Sequence, residues 1–127
     1  VLKPVITIPD TSRVLLIEDS GFRIEWFRAH IPERLDVAWT PEMAVERAGH
    51  CHEYDLIFLD HDAKWDDAQV TFYEAALRME QLGYSGTVII HSLNVPGAKR
   101  MQYALSRNAN VQLLRYGTFE IEVKHVT

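Results

Sequence analysis

Apolar residues in this chain gather in short unbroken runs separated by longer stretches in which they recur at helical spacing. Runs without polar alternation mark strands buried on both faces. They predict five core strands, over 13–17, 35–39, 54–59, 86–90 and 111–114. Between them, Ser20 caps a helix over 21–30 that turns Phe22, Trp26 and Phe27 to the sheet and is closed by Pro32. Thr40, Pro41, Glu42 and Gly49 bracket a second helix over 41–48. A third spans 68–82, capped by Asp66 and Asp67 and stopped at Gly83. A fourth spans 98–107, with Met101, Ala104 and Leu105 facing the core. Strands alternating with helices call for right-handed crossovers and a parallel sheet. The fold class is therefore α/β, a three-layer α/β/α sandwich with strand order 2-1-3-4-5.

Two segments depart from that scheme. The tail from Phe119 to Val126 alternates with period two, a strand pattern where a fifth helix is expected, and Val5 to Ile8 is strand-like as well. They are expected to pair with each other, with a sheet edge, or with a partner subunit as a homodimer contact. The whole chain, 1–127, reads as one domain, with an N-terminal extension over 1–12 and a strand-like tail over 118–127.

At 127 residues and 47% hydrophobic content, a single core accounts for the chain. The net charge of -5 argues against an extended nucleic-acid surface. The average conceals an acid-free stretch from Gln81 to Phe119, which carries Lys99, Arg100, Arg107 and Arg115. One cysteine, Cys51, excludes an internal disulfide, and no run reaches the roughly 18 apolar residues of a membrane span. These features make a reducing, cytoplasmic setting the expectation; the first residues lack a signal-peptide pattern and an initiator Met, so the start is expected to be processed or trimmed.

Chemistry gathers at the strand ends. The third strand runs into Asp60-His61-Asp62, the fourth into His91-Ser92, and the first into Glu18-Asp19. In an open parallel sheet, the crevice beyond the carboxyl ends of the strands is where ligands bind. The acidic pair, Asp60 and Ser92 resemble the phosphoacceptor layout of two-component response-regulator receiver domains, a flavodoxin-like fold. That resemblance implies Mg²⁺ held by the pair and phosphorylation of Asp60. Receiver domains also place a Lys at the end of the fifth strand, whereas this chain has Leu114-Arg115-Tyr116.

Leu59-Asp60-His61-Asp62 together with His91-Ser92-Leu93-Asn94-Val95-Pro96-Gly97 more closely resembles the cyclic-phosphate-processing receiver family. The resemblance implies a phosphoesterase acting on a small phosphorylated substrate, a cyclic phosphate of a nucleotide, ribose or RNA end. Hydrolysing such an ester takes a base, an acid and positive charge at the pentacoordinate phosphorus. His61 and His91, with Asp60, are the expected catalytic groups, since imidazoles transfer protons near neutrality. Ser92, Asn94, Gly97 at the start of the next helix, Lys99 and Arg100 are the expected phosphate binders.

A metal reading uses the same residues. Glu18, Asp19, Asp60 and Asp62 offer hard oxygens to Mg²⁺ or Mn²⁺, and adding the imidazoles favours a transition metal. Both readings stand at this point. So does a second class, a non-catalytic or phosphoacceptor receiver-like module for signalling or binding, and a third, an adaptor docking through its terminal strands. Trp65 and Tyr116 fall in loops at the same edge, where an aromatic can stack on a base. His50-Cys51-His52 has ligand residue types, but it is one short loop without a second pair at zinc-site spacing.

Overall fold

Val14–Ile17 (β2) and Leu56–Leu59 (β4) contain no polar residue and are buried along their whole length, so both faces of each strand must be covered. They form the centre of a parallel sheet in the computed structural model, which describes residues 2–64 and 66–126. Leu35–Ala38 (β3) flanks β2, and Thr87–Ile90 (β5) and Asn110–Leu113 (β6) follow β4, giving the order β3-β2-β4-β5-β6. With the N-terminal strand set aside, this is the expected 2-1-3-4-5 order. The α/β/α architecture is thus present.

Strand alternation sorts the core into two layers. Leu15, Ile17, Ile57, Leu59, Val88 and Ile90 face helices Pro41–Ala48 (α2), Tyr73–Gln81 (α3) and Val95–Leu105 (α4). Val14, Leu16, Leu56, Phe58 and Ile89 face the other way, toward Gly21–His30 (α1). A complete doubly wound domain would set a fifth helix beside α1. Here Val5–Pro9 (β1) and Glu120–Lys124 (β7) pair in parallel as a separate two-stranded ribbon, so the terminal segments meet each other. Phe119, fully buried, stacks on Phe58 with ring centroids 6.2 Å apart and anchors the ribbon to the sheet. Asp10 ties its end by accepting from His125 Nδ1 at 2.6 Å and from the Val126 N–H at 3.2 Å.

Three expectations change. The buried stripe of α1 is Ile24 and Phe27, with Trp26 half-buried, and Phe22 is 80% exposed; the Ser20 cap sets a helical phase that carries Phe22 outward. α3 begins at Tyr73 rather than 68, because Asp62 and Thr71 pair in an antiparallel bridge ahead of it. There Asp67 caps a turn, accepting from the Gln69 N–H at 3.0 Å, instead of capping the helix. α4 begins earlier than 98. Asn94 is its N-cap, accepting from the Gly97 N–H at 3.0 Å, and Pro96 is tolerated in the first turn, where its missing N–H costs nothing. Trp65 lies outside the described residues. Among the described residues, no helix is long and apolar enough to cross a membrane.

Candidate functional site

The strand register decides which side chains meet. Ile17 pairs with Leu59 and Leu59 with Ile90, so the next residues, Glu18, Asp60 and His91, lie side by side across three adjacent strands. Each brings a ligand atom within 4.8 Å of the others, and all three are buried. They lie at the carboxyl edge of the sheet, beneath a crevice of about 600 Å³. Glu18 and Asp60 form part of its wall with Asp19, Asp62 and Ser92.

Glu18 is the best satisfied member. Its Oε2 accepts from the N–H groups of Asp19 at 3.0 Å and Ser20 at 3.1 Å, and its Oε1 lies 2.9 Å from His91 Nε2. These donors favour the carboxylate, although burial pushes its pKa upward. Asp60 accepts only the His61 N–H on Oδ1, at 2.8 Å. Burial first, and then the Glu18 charge, push Asp60 up to about 7. Near neutrality Asp60 is therefore only partly ionised. His91 is held down to about 4 by complete burial, despite the opposing pull of Asp60. Its Nε2–H donates to Glu18, and among the described residues its Nδ1 has no partner, the arrangement of a neutral imidazole with a bare lone pair.

Arg23 supplies the positive charge. Its Nη1 lies 3.6 Å from Glu18 Oε1 and 3.9 Å from Asp60 Oδ2, and its guanidinium stands 4.8 Å from the Tyr116 ring centroid. Sequence reasoning missed this residue. A signal was present, because Arg23 sits in the first turn of α1, where the helix dipole disfavours a cation and no acid offsets it. A basic residue there needs an attractor nearby, and the strand-end carboxylates are that attractor.

A second cluster forms around His61. Its Nδ1 lies 2.7 Å from Asp62 Oδ1, and Asn94 Nδ2 donates to the same oxygen at 3.1 Å. Burial raises the Asp62 pKa, but these two donors outweigh it and hold the carboxyl below its usual range. The ring packs against the first turn of α4. A Cβ on Gly97 would come within 2.5 Å of His61 Cγ, so only glycine fits. Among the described residues, His61 Nε2 is buried without a partner.

Several expected residues are placed differently from the sequence reading. Neither imidazole lines the crevice, and His61 is outside the Glu18, Asp60 and His91 group. Gly97 gives its N–H to Asn94 and its surface to His61, so it presents no free donor to a phosphate there. Lys99 lines a separate depression on the outer side of α4, and Arg100 stacks 4.9 Å over Tyr73. Arg115 is exposed and does not reach the crevice. Tyr116 supports Arg23 through its ring, and its N–H donates to the His91 carbonyl. His50 pairs with Glu53, whereas His52 bonds the Leu82 carbonyl, so these rings do not converge on a metal site.

For a divalent cation the fit rests on donor chemistry. Hard carboxylate oxygens from Glu18, Asp19 and Asp60 converge on one crevice, and the proton on Asp60 marks a surplus of negative charge that a cation would relieve. Arg23 meets that surplus in part.

Neither protein-family models nor curated proteins give a match to the chain. Solved structures do, and several of them are receiver domains. The chain is 19% identical to the signal receiver domain of a LuxO repressor protein from Vibrio parahaemolyticus, with a TM-score of 0.62, covering 84% of this chain and 78% of that one. NtrX from Brucella abortus matches with a TM-score of 0.60 at 13% identity; the match covers 87% of this chain, which spans only 24% of NtrX. The receiver domain of an Arabidopsis thaliana histidine kinase, solved with Mg²⁺ and BeF₃⁻, matches with a TM-score of 0.54 at 15% identity, covering 82% and 80% of the two chains. The fold is receiver-like.

Proposed function

We propose that the crevice is a phosphoryl-binding site assisted by a divalent cation, on a receiver-like module in which Asp60 meets the phosphoryl group. The observation that carries this reading is the placement of Asp60 on the central strand, between the Glu18-Asp19 pair and Ser92 and beside Arg23. The bound Mg²⁺ and BeF₃⁻ of the Arabidopsis receiver domain support it by analogy of fold. Glu18, Asp19 and Asp60 would hold the cation, which neutralises their charge and draws phosphoryl oxygens into the crevice. Arg23 would then turn from the carboxylates to the phosphoryl oxygens, and the Ser92 hydroxyl lines the same wall. Asp60 must release its proton before its carboxylate can act, so phosphoryl binding is coupled to proton loss. The Arg23→Gln variant should bind Mg²⁺ more tightly and phosphate more weakly.

A second reading keeps the cyclic-phosphate resemblance, and one observation favours it: Asp60 titrates near 7 at the crevice wall, the range suited to general acid–base work. On this reading Asp60 carries the proton. His91 and His61 act as positioning residues, because they reach the crevice only through Glu18 and Asp62. Incubation with acetyl phosphate and Mg²⁺, followed by mass spectrometry, and a parallel assay of 2′,3′-cyclic phosphates with Mg²⁺, Mn²⁺ or Zn²⁺ separate the two. Modification confined to Asp60 supports the phosphoryl-receiving module. Turnover that disappears in Asp60→Asn supports the hydrolase, and neither result in any condition refutes both.

A further inference from the structure

The outer side of α4 combines features that the crevice does not use. Lys99, Tyr103 and Arg107 follow one another at intervals of four residues and line one shallow depression with Gln102 and Ser106. Tyr103 is 82% exposed, an unusual position for a large ring. Arg100 lies beside this row, its guanidinium over Tyr73. Among the described residues the one acid paired with this row is Glu80, 3.9 Å from Arg107, and the segment from Gln81 to Phe119 supplies none. A cation on each side of an exposed aromatic is a local positive strip on a chain of net charge -5.

We propose that this face is a docking surface for a short stretch of single-stranded nucleic acid, with one base stacked on Tyr103 and the flanking phosphates held by Lys99 and Arg107. Lys99 and Tyr103 stand roughly 6 Å apart along the helix axis, comparable with the reach of one nucleotide in an extended strand, and Arg107 follows just past the helix end at Leu105. Stacking on an exposed ring is tolerant of base identity, and cations on either side track the backbone. An acidic peptide would also satisfy the charges, and its competition is one outcome of the test. The surface holds one or two nucleotides, so binding is weak and electrostatic.

Fluorescence anisotropy with a labelled oligouridylate of about ten nucleotides tests the proposal on the full chain. With the two cations of the row engaged, the plot of log affinity against log salt should have a slope of about -1.4, a loss of roughly sevenfold between 50 and 200 mM salt. Tyr103→Ala, a change at an exposed position, should weaken binding by roughly tenfold. Lys99→Gln with Arg107→Gln should flatten the salt slope, and Asp60→Asn should leave binding intact, because the crevice is a separate site. Absence of binding at 50 mM salt overturns the proposal. Unchanged affinity in Tyr103→Ala, or equal competition by a polyglutamate peptide of matched charge, overturns it as well.

Discussion

His61 and His91 each follow a buried strand and each hydrogen-bond a carboxylate, yet they leave the sheet on opposite faces. His91 is one residue past the register pair Leu59 and Ile90, on the parity of Ile89, and its ring meets Phe27 at 5.2 Å in the α1 layer. His61 is two residues past it, on the parity of Leu59, and its ring lies under Gly97 in the α4 layer. The same residue type at the same edge thus becomes part of the charged cluster in one case and a wedge beneath a helix in the other. A single step along a strand reverses the side chain's face.

The contrast is sharpest in stability. Glu18 accepts from the buried His91 ring, so Glu18→Ala leaves the His91 Nε2–H and the N–H groups of Asp19 and Ser20 without their acceptor and should cost about 3 kcal/mol. Asp62 is partly exposed, and Asp62→Asn should cost about 1 kcal/mol or less. Urea denaturation measures both; equal costs would break the distinction.

A pH series addresses the same contrast. Asp60, raised from 3.8 to about 7, contributes stability at low pH that is lost as pH rises through about 7. His91, lowered from 6.5 to about 4, contributes stability above 6.5 that is lost as pH falls through about 4. Between roughly pH 4 and 6.5 the two slopes oppose each other, so the pair leaves the stability of the parent chain nearly flat there. Asp60→Asn should uncover the His91 slope, with stability rising by up to about 1.4 kcal/mol per pH unit, and His91→Gln should uncover the opposite one. Parallel profiles for the parent chain and both variants would contradict the proton assignment.

The wedge has its own test. Gly97→Ala forces a methyl against the His61 ring and should cost about 1–3 kcal/mol. Adding His61→Ala should remove most of that penalty. Strict additivity in the double-mutant cycle would show that the ring is not the obstacle.

Much of this was legible in the sequence, and the failures follow a rule. Uniform apolar runs identify β2 and β4 because their burial is two-sided, and the period-two tail anticipates β7. Asp60 and Asp62 both line the crevice, as their place just past a buried strand end implies. What it withheld depends on contacts across the chain. The late start of α3 follows from Phe72 donating to the His61 carbonyl at 2.7 Å, a bond that helical pattern cannot foresee. Lys99 and Arg100 stand near Gly97 in sequence, but the helix turns them away from the strand ends. Arg23, distant in sequence from Asp60, takes the place that proximity had suggested for them.

The most direct test of the phosphoryl-binding reading is a titration with beryllofluoride, with and without Mg²⁺, followed by backbone amide spectra of the parent chain and of Asp60→Asn. The account predicts Mg²⁺-dependent shifts centred on residues 18–23, 60–62 and 92–94 that vanish in the variant. Absence of shifts, or the same shifts in Asp60→Asn, would contradict it.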